Sequence, residues 1–173
     1  MPTPSPWKSR IVGHGEEAPD QLLANPANFR IHSKTQQDAM SGVLDQIGWI
    51  DDILVNQRSG HVINGHMRVA IAISRNEPTV PVKYVDLDEA EEALALATLD
   101  PISAMAATDR EQLSALLAEV STGDAAVAAM LDQLAQDAGV VTPPDSFAEY
   151  GDDLETQFKC PSCSYEWSGK PKS

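Results

Sequence analysis

The sequence predicts an α+β fold: a small mixed sheet with helices, followed by an acidic helical segment and a flexible tail. Three observations point there. Short runs rich in Ile and Val (Ile53-Leu54-Val55, His61-Val62-Ile63 and Val80 to Leu87) alternate with segments whose apolar residues recur every three or four positions. After residue 100 these runs give way to Ala- and Leu-rich stretches with acidic outer positions. The 173 residues are 42% hydrophobic but only 5% aromatic, enough for a core built of aliphatic side chains.

The elements follow in order. Residues 1–10 are expected to be a disordered N-terminus, rich in Pro and Ser at its start. Trp7 to Val12 is the first candidate strand. Pro19 to Leu23 reads as a short helical turn that Asn25-Pro26 breaks, because Pro lacks an N–H and restricts the residue before it. Ser33 is an N-cap signal for a helix from Lys34 to Ile47, with Met40, Val43, Leu44 and Ile47 as its apolar face and Gly48 as its stop. Asp52 to Asn56 and His61 to Ile63 read as a hairpin across Arg58-Ser59-Gly60. A helix from His66 to Arg75 follows, with Val69, Ala70 and Ile73 expected to be buried and Asn76-Glu77-Pro78 ending it. Val80 to Leu87 is a further strand. Asp88 then caps a helix to Leu99, with Glu91 placed for a capping box. Asp100-Pro101 is expected to separate this half from two helices, Asp109 to Val120 and Asp124 to Gly139, with Thr108 and Gly123-Asp124 as cap signals. The expected organisation is therefore a mixed domain over 11–100, an acidic helical segment over 101–139, a linker over 140–157 and a Cys-x-x-Cys tail over 158–173.

Charge is distributed unevenly. Residues 1–85 carry eight acidic and eight basic side chains, whereas residues 86–155 carry seventeen acids and one base, Arg110. Binding to DNA of any sequence rests on Lys and Arg neutralising phosphates, so the acidic half is unsuited to bare duplex. It reads as a solvated surface or as a dock for a basic partner. No apolar run is long enough to cross a bilayer, and the N-terminus lacks a signal-type apolar stretch. The two cysteines sit in one Cys-Pro-Ser-Cys unit and make no disulfide framework. A cytoplasmic protein that stays off membranes is expected.

Chemistry concentrates at Asn64-Gly65-His66-Met67-Arg68, where a strand ends and a helix begins. The first turn of a helix has N–H groups without intrahelical partners, and the dipole places partial positive charge there. Gly65 lets an anion approach the backbone, Arg68 lies one turn further in, and His66 offers a donor, or a cation if protonated. This is a recipe for phosphate binding. The plainer reading is a turn glycine followed by a surface arginine.

The order of elements adds to this. The segment LLANPANFRIHSKTQQDAMSGVLDQIGWIDDILVNQRSGHVINGHMRVAIA, followed by VPVKYVDLDEAEEALALATLD, resembles the N-terminal domain of the ParB/sulfiredoxin superfamily. The resemblance is to its phage and plasmid variety, the ParB-like nuclease domains often attached to DNA methyltransferases. It covers about half the chain, roughly Gln21 to Leu99. Asn25-Pro26 with Arg30, the hairpin with Gly60, and a Gly-His-x-Arg box at Gly65, His66 and Arg68 all fall in the family's order. The resemblance implies a ParB/sulfiredoxin-like fold, with Asn64, Gly65, His66, Met67, Arg68 and Arg30 around a nucleoside triphosphate, ATP or CTP, accompanied by Mg. In chromosomal ParB the box is Gly-Glu-Arg-Arg and contacts the triphosphate of CTP; Gly65 and Arg68 match, while His66 and Met67 do not. In sulfiredoxin the box carries a cysteine where this chain has His66, so sulfiredoxin chemistry is not expected.

Other residues are read more plainly. Arg30 either meets the nucleotide or is a surface arginine. Glu16 and Glu17 are read as solvent-facing, His61 as a strand residue rather than a ligand, and His14 as a loop residue. At the C-terminus, Cys160 and Cys163 resemble one knuckle of a zinc ribbon, half of the four ligands that a structural zinc takes. Two chains sharing one zinc as a homodimer, a remnant without metal, a piece whose second knuckle is missing, and a redox pair all remain open.

Three functions compete. The first is a nucleotide-binding ParB-like protein, an NTPase or phosphotransferase in phage or plasmid DNA partition or modification. The second is a ParB-like DNA nuclease. The third is a non-catalytic adaptor docking a DNA methyltransferase or other partner. A nuclease needs clustered carboxylates, and Asp51-Asp52, adjacent at a strand start, point to opposite faces. The acidic second half also lacks the character of a DNA-reading helix-turn-helix.

Overall fold

A computed structural model describes residues 6–140 and 158–167. The chain divides into two compact units after Val141. In the first unit, residues 6–10 carry no regular structure before strand β1 (Ile11–Glu17). A 3-10 turn at Pro19–Gln21, a short strand β2 (Leu23–Ala24) and helix α1 (Lys34–Ile47) follow. Then come β3 (Ile53–Asn56), β4 (His61–Asn64), α2 (His66–Arg75) and β5 (Val80–Val85). The unit finishes with α3 (Glu89–Ala104), α4 (Arg110–Glu119) and α5 (Ala125–Ala138). The second unit contains a hairpin of β6 (Phe158–Lys159) and β7 (Glu166–Trp167).

The five strands of the first unit lie in the order β1-β5-β3-β4-β2. β1 runs antiparallel to β5, β5 parallel to β3, β3 antiparallel to β4, and β4 parallel to β2. α2 is the crossover that returns the chain from β4 to β5 beside β3. The core sits between this crossover and the sheet: Ile53, Val55, Val62, Val69, Ala72, Val80 and Val82, with Leu22, Trp49 and Tyr84 packed against them. The α+β class and the mixed sheet are as the sequence predicts. No helix among the described residues is long and apolar enough to cross a membrane.

Local chemistry accounts for the helix bounds. Ser33 accepts from the Gln36 N–H while the Gln36 side chain accepts from the Ser33 N–H, a reciprocal cap, and Gly48 closes the other end at φ 74°. Asp88 and Glu91 repeat the device on α3. Asp109, rather than Thr108, caps α4, and Asp124 caps α5.

The structure corrects the sequence reading at five places. The first strand is Ile11–Glu17, not Trp7 to Val12. Gly13, Gly15 and the two glutamates give it little intrinsic preference, and pairing along β5 makes it a strand. Glu16 is exposed and accepts from Thr79 Oγ1, but Glu17 is half-buried and accepts from the Tyr84 hydroxyl at 2.5 Å. On α2 the buried residues are Val69, Ile71 and Ala72, while Ala70 and Ile73 are exposed. That helix is covered from two directions: the sheet takes Val69 and Ala72, and Ile71 borders a crevice with Leu44 and Trp49. On α1 the buried positions are Ala39 and Gly42, and Ile47 is exposed. α1 packs on α5, and a Cβ at Gly42 would lie 2.6 Å from the Asp124 carboxyl carbon. Finally, α3 does not stop at Leu99 but runs through Asp100-Pro101 to Ala104. Pro101 removes one helical N–H donor, yet the helix continues. The expected boundary at residue 100 therefore falls inside a helix, and α4 and α5 belong to the same unit as the sheet. The expected linker lies, but for Val140, outside the described residues, as do residues 1–5.

Candidate functional site

At the end of β4 the backbone must reverse into α2 within one residue. Gly65 does this at φ 101°, ψ 11°, a left-handed conformation that L side chains rarely adopt. A Cβ there would also meet Ile53 Cδ1 at 2.7 Å and Arg68 Nη2 at 3.4 Å. The N-terminus of α2 has no side-chain cap, so its first-turn amides have no partner within the helix or from a capping side chain.

This helix start opens into a cavity of about 350 Å³. Arg30, His32, Asn64, Gly65, His66, Met67, Arg68, Asp51 and Asp100 line one part of it. The remaining wall is largely apolar: Met40, Val43 and Leu44 from α1, with Trp49 and Ile50 from the loop after it. All six residues singled out for phosphate binding thus border one cavity, including Arg30, which is 34 positions before Asn64. A polar end with two guanidinium groups beside an apolar wall is the common composition of a small-molecule site.

Both arginines are held in place. Arg68 donates to the Asp51 carbonyl at 2.7 Å, pairs with Asp51 Oδ2 at 2.9 Å and reaches Asn64 Oδ1 at 3.5 Å. Arg30 pairs with Asp100 Oδ2 at 3.0 Å and donates to the Leu96 carbonyl at 3.3 Å. Asn64 Nδ2 donates to Asp100 Oδ1 at 2.9 Å, so β4, α3 and the Arg30 segment converge. The arginine side chains are 12% and 17% exposed, and their carboxylate partners 63% and 49%. The cations are the fixed members of each pair, and the carboxylates lie nearer solvent.

His66 differs from its expected role. Its Nε2 accepts from the Asn25 N–H at 3.3 Å, and the ring also hydrogen-bonds the Val62 carbonyl. Burial, then the fields of Arg30 and His32, push its pKa below the ordinary histidine value. It is a neutral ring whose two nitrogens hold the Asn25 loop to the start of α2, not a cation for an anion. Asn25 in turn donates from Nδ2 to Glu92 Oε1 at 2.6 Å and closes a turn on the Ala27 N–H at 2.9 Å.

Glu92 is the hub of a second polar cluster. The buried carboxylate accepts from Asn25, from Asn56 Nδ2 at 2.5 Å and from Ser59 Oγ at 2.7 Å, with His61 Nδ1 at 3.5 Å. Burial alone would raise its pKa; the hydrogen bonds from Ser59, Asn56 and Asn25, with His61, outweigh that and hold it low. Sequence reasoning missed this residue, as it missed Asp100. Asn25-Pro26, read as a helix breaker and as part of the family's order, gave no sign that Asn25 bonds Glu92.

Asp51 and Asp52 diverge. Asp51 pairs with Arg68 at the cavity, and Asp52 pairs with His14 at 3.0 Å and Lys83 at 3.9 Å. Among the described residues no group of three or more His, Cys, Asp or Glu side chains is placed to hold a metal ion. In the second unit Cys160 and Cys163 are free thiols at the turn between β6 and β7. The backbone N–H groups of Cys163 and Ser162 and the Cys163 thiol hydrogen-bond the Cys160 sulfur and lower its pKa.

Fold and site together define a small α+β domain with an arginine-bearing cavity at a helix start. No family model and no curated protein matches the chain. Among solved structures it is similar to the C-terminally truncated chromosome-partitioning protein ParB from Caulobacter crescentus complexed with CTP-gamma-S, at 21% identity and TM-score 0.49 over 72% of this chain and 79% of that one. It is also similar to a Pnob8-like ParB-N domain, at 14% identity and TM-score 0.43 over 76% of this chain and 52% of that one, about half its length.

Proposed function

We propose that the chain is a ParB-like nucleotide-binding protein acting in the partition or modification of phage or plasmid DNA. The observation that carries the binding reading is the convergence of the uncapped α2 start, Arg68 and Arg30 on one cavity with an apolar wall. Phosphate groups sit against the amides of residues 66–68, and the guanidinium groups exchange their carboxylate partners for phosphate oxygens. The base lies along Met40, Val43, Leu44 and Trp49. If Mg2+ accompanies the phosphates, Asp51 and Asp100, the carboxylates at that end of the cavity, would be the residues to hold it, since Mg2+ usually takes one or two carboxylates plus phosphate oxygens. ATP and CTP are both candidates, and triphosphate hydrolysis or transfer is the activity to look for. The nuclease reading is weaker, because Asp51 and Asp52 engage different partners.

A thermal-shift panel of ATP, ADP, CTP, GTP and sulfate, with and without Mg2+, tests this. A ligand that binds only the folded state raises the melting midpoint. At least one nucleotide is expected to do so, and Arg68→Ala is expected to abolish the shift while the chain still melts cooperatively. No shift with any nucleotide overturns the proposal.

A further inference from the structure

Helix α4 is amphipathic and yet buries nothing. Its apolar residues include Leu113, Leu116 and Leu117, Val120 follows as the cap, and none of the four is buried. A ten-residue helix is marginal in water by itself and is held in a protein by packing of its apolar face. α4 packs against α5, and Leu113 and Leu117, one turn apart, are half-buried. Leu116 and Val120, the next pair around the helix, stay exposed. α5 repeats the pattern: Val127 and Ala135 are buried, α1 packs against the helix, and Met130 and Leu134 are exposed. Residues four apart share one face of a helix. Single exposed apolar side chains are ordinary, but two such pairs on contacting helices are the kind of feature that a partner covers.

Charge says what kind of partner. Residues 101–139 carry six acids, Asp109, Glu111, Glu119, Asp124, Asp132 and Asp137, and one base, Arg110. Arg110 is already placed: its guanidinium lies against the C-terminal end of α5, where a Cβ at Gly139 would be 3.6 Å from Arg110 Cζ. That end is the negative pole of the helix dipole, which suits a cation. Glu119 is three residues after Leu116, and Asp137 is three after Leu134, spacings that make neighbours on a helix surface. Both carboxylates belong to exposed residues. Each exposed apolar pair therefore has a solvent-facing negative charge at its side.

We propose that the exposed faces of α4 and α5 dock a basic amphipathic helix of a partner protein. Its apolar side chains lie on Leu116, Val120, Met130 and Leu134, and its Lys and Arg side chains meet Glu119 and Asp137. An amphipathic helix laid on an apolar surface is a recurring mode of recognition, read through anchors one turn apart. Charge complementarity selects this occupant. A nucleic acid or an anionic membrane surface is repelled by these carboxylates. A second copy is disfavoured too, because a two-fold interface sets the same patch against itself and brings like charges together. The proposal is independent of the nucleotide cavity.

The test uses the full chain and a fluorescein-labelled synthetic peptide of Leu and Lys, patterned as an amphipathic helix. The controls are a Leu/Glu peptide of the same pattern and a Leu/Lys peptide of scrambled order. Fluorescence anisotropy is expected to show saturable binding of the patterned Leu/Lys peptide, weakened by added salt, and none of either control. The double variants Leu116→Ser, Leu134→Ser and Glu119→Lys, Asp137→Lys are each expected to weaken that binding about tenfold or more. All four positions are exposed, so the main melting transition is expected to stay unchanged. No binding of the patterned peptide, equal binding of either control, or undiminished binding by either variant overturns the proposal. So does a dimer in sedimentation equilibrium that Leu116→Ser, Leu134→Ser dissolves, since a second copy then covers the face.

Discussion

Gly65 is a position with no tolerated alternative. Gly65→Ala puts a Cβ at φ 101° and 2.7 Å from a fully buried isoleucine. The dihedral costs about 1–2 kcal/mol, and the overpacking adds roughly 1–3 kcal/mol. Denaturant melts of Gly65→Ala are expected to show a loss in that combined range, with nucleotide binding weakened even where the chain folds. Gly65 and Arg68 were legible in the sequence because their relation is local, one helical turn. The partners of Arg68 and Arg30 were not, because Asp51 and Asp100 lie 17 and 70 positions away and only the fold brings them together. The lowered pKa of His66 was not legible either, because it comes from burial and from Arg30 and His32, which lie 36 and 34 positions earlier.

Among the elements, α3 reaches furthest. Its Glu92 ties Asn25, Asn56 and Ser59, and its Asp100 and Leu96 hold Arg30. Glu92→Ala orphans several buried donors, and each costs about 1–3 kcal/mol. Glu92→Gln presents an amide to donors and is expected to be intermediate. Both variants are expected to loosen the Asn25–Arg30 segment, read as faster amide exchange there, and to weaken nucleotide binding although neither touches the ligand. The bounds of α1 and α2 could be read closely, since Ser33, Gly48 and Asn76 are local punctuation. β1 could not, because a strand with two glycines exists only through β5, about 70 residues later. Nor could the continuation of α3 past Pro101, where helical packing overrides a breaker.

At the scale of the molecule, acid pH lowers stability through several groups. His66 and Glu92 have folded pKa values below their ordinary ones, and Asp86, bonded to Arg58, is lowered to about 2. Each contributes stability that is complete above its unfolded pKa and is lost as pH falls through the folded one. Urea midpoints are expected to hold from pH 8 to pH 7, to begin falling below about 6.5 as His66 protonates, and to fall again below about 4.5 as the carboxylates do. His66→Gln is expected to remove the first decline and leave the second. The paired arginines have a further consequence. A cavity with bare guanidinium groups would collect any polyanion in the cell, nucleic acid included. Here each cation already has an occupant, so a newcomer must evict two carboxylates at once. A single phosphate on a DNA strand has too few oxygens in the right places, whereas a compact chain of phosphates does not. On the proposed nucleotide reading, the ion pairs of Arg68 with Asp51 and of Arg30 with Asp100 are what a ligand must displace, and they favour a compact polyphosphate over a stray anion.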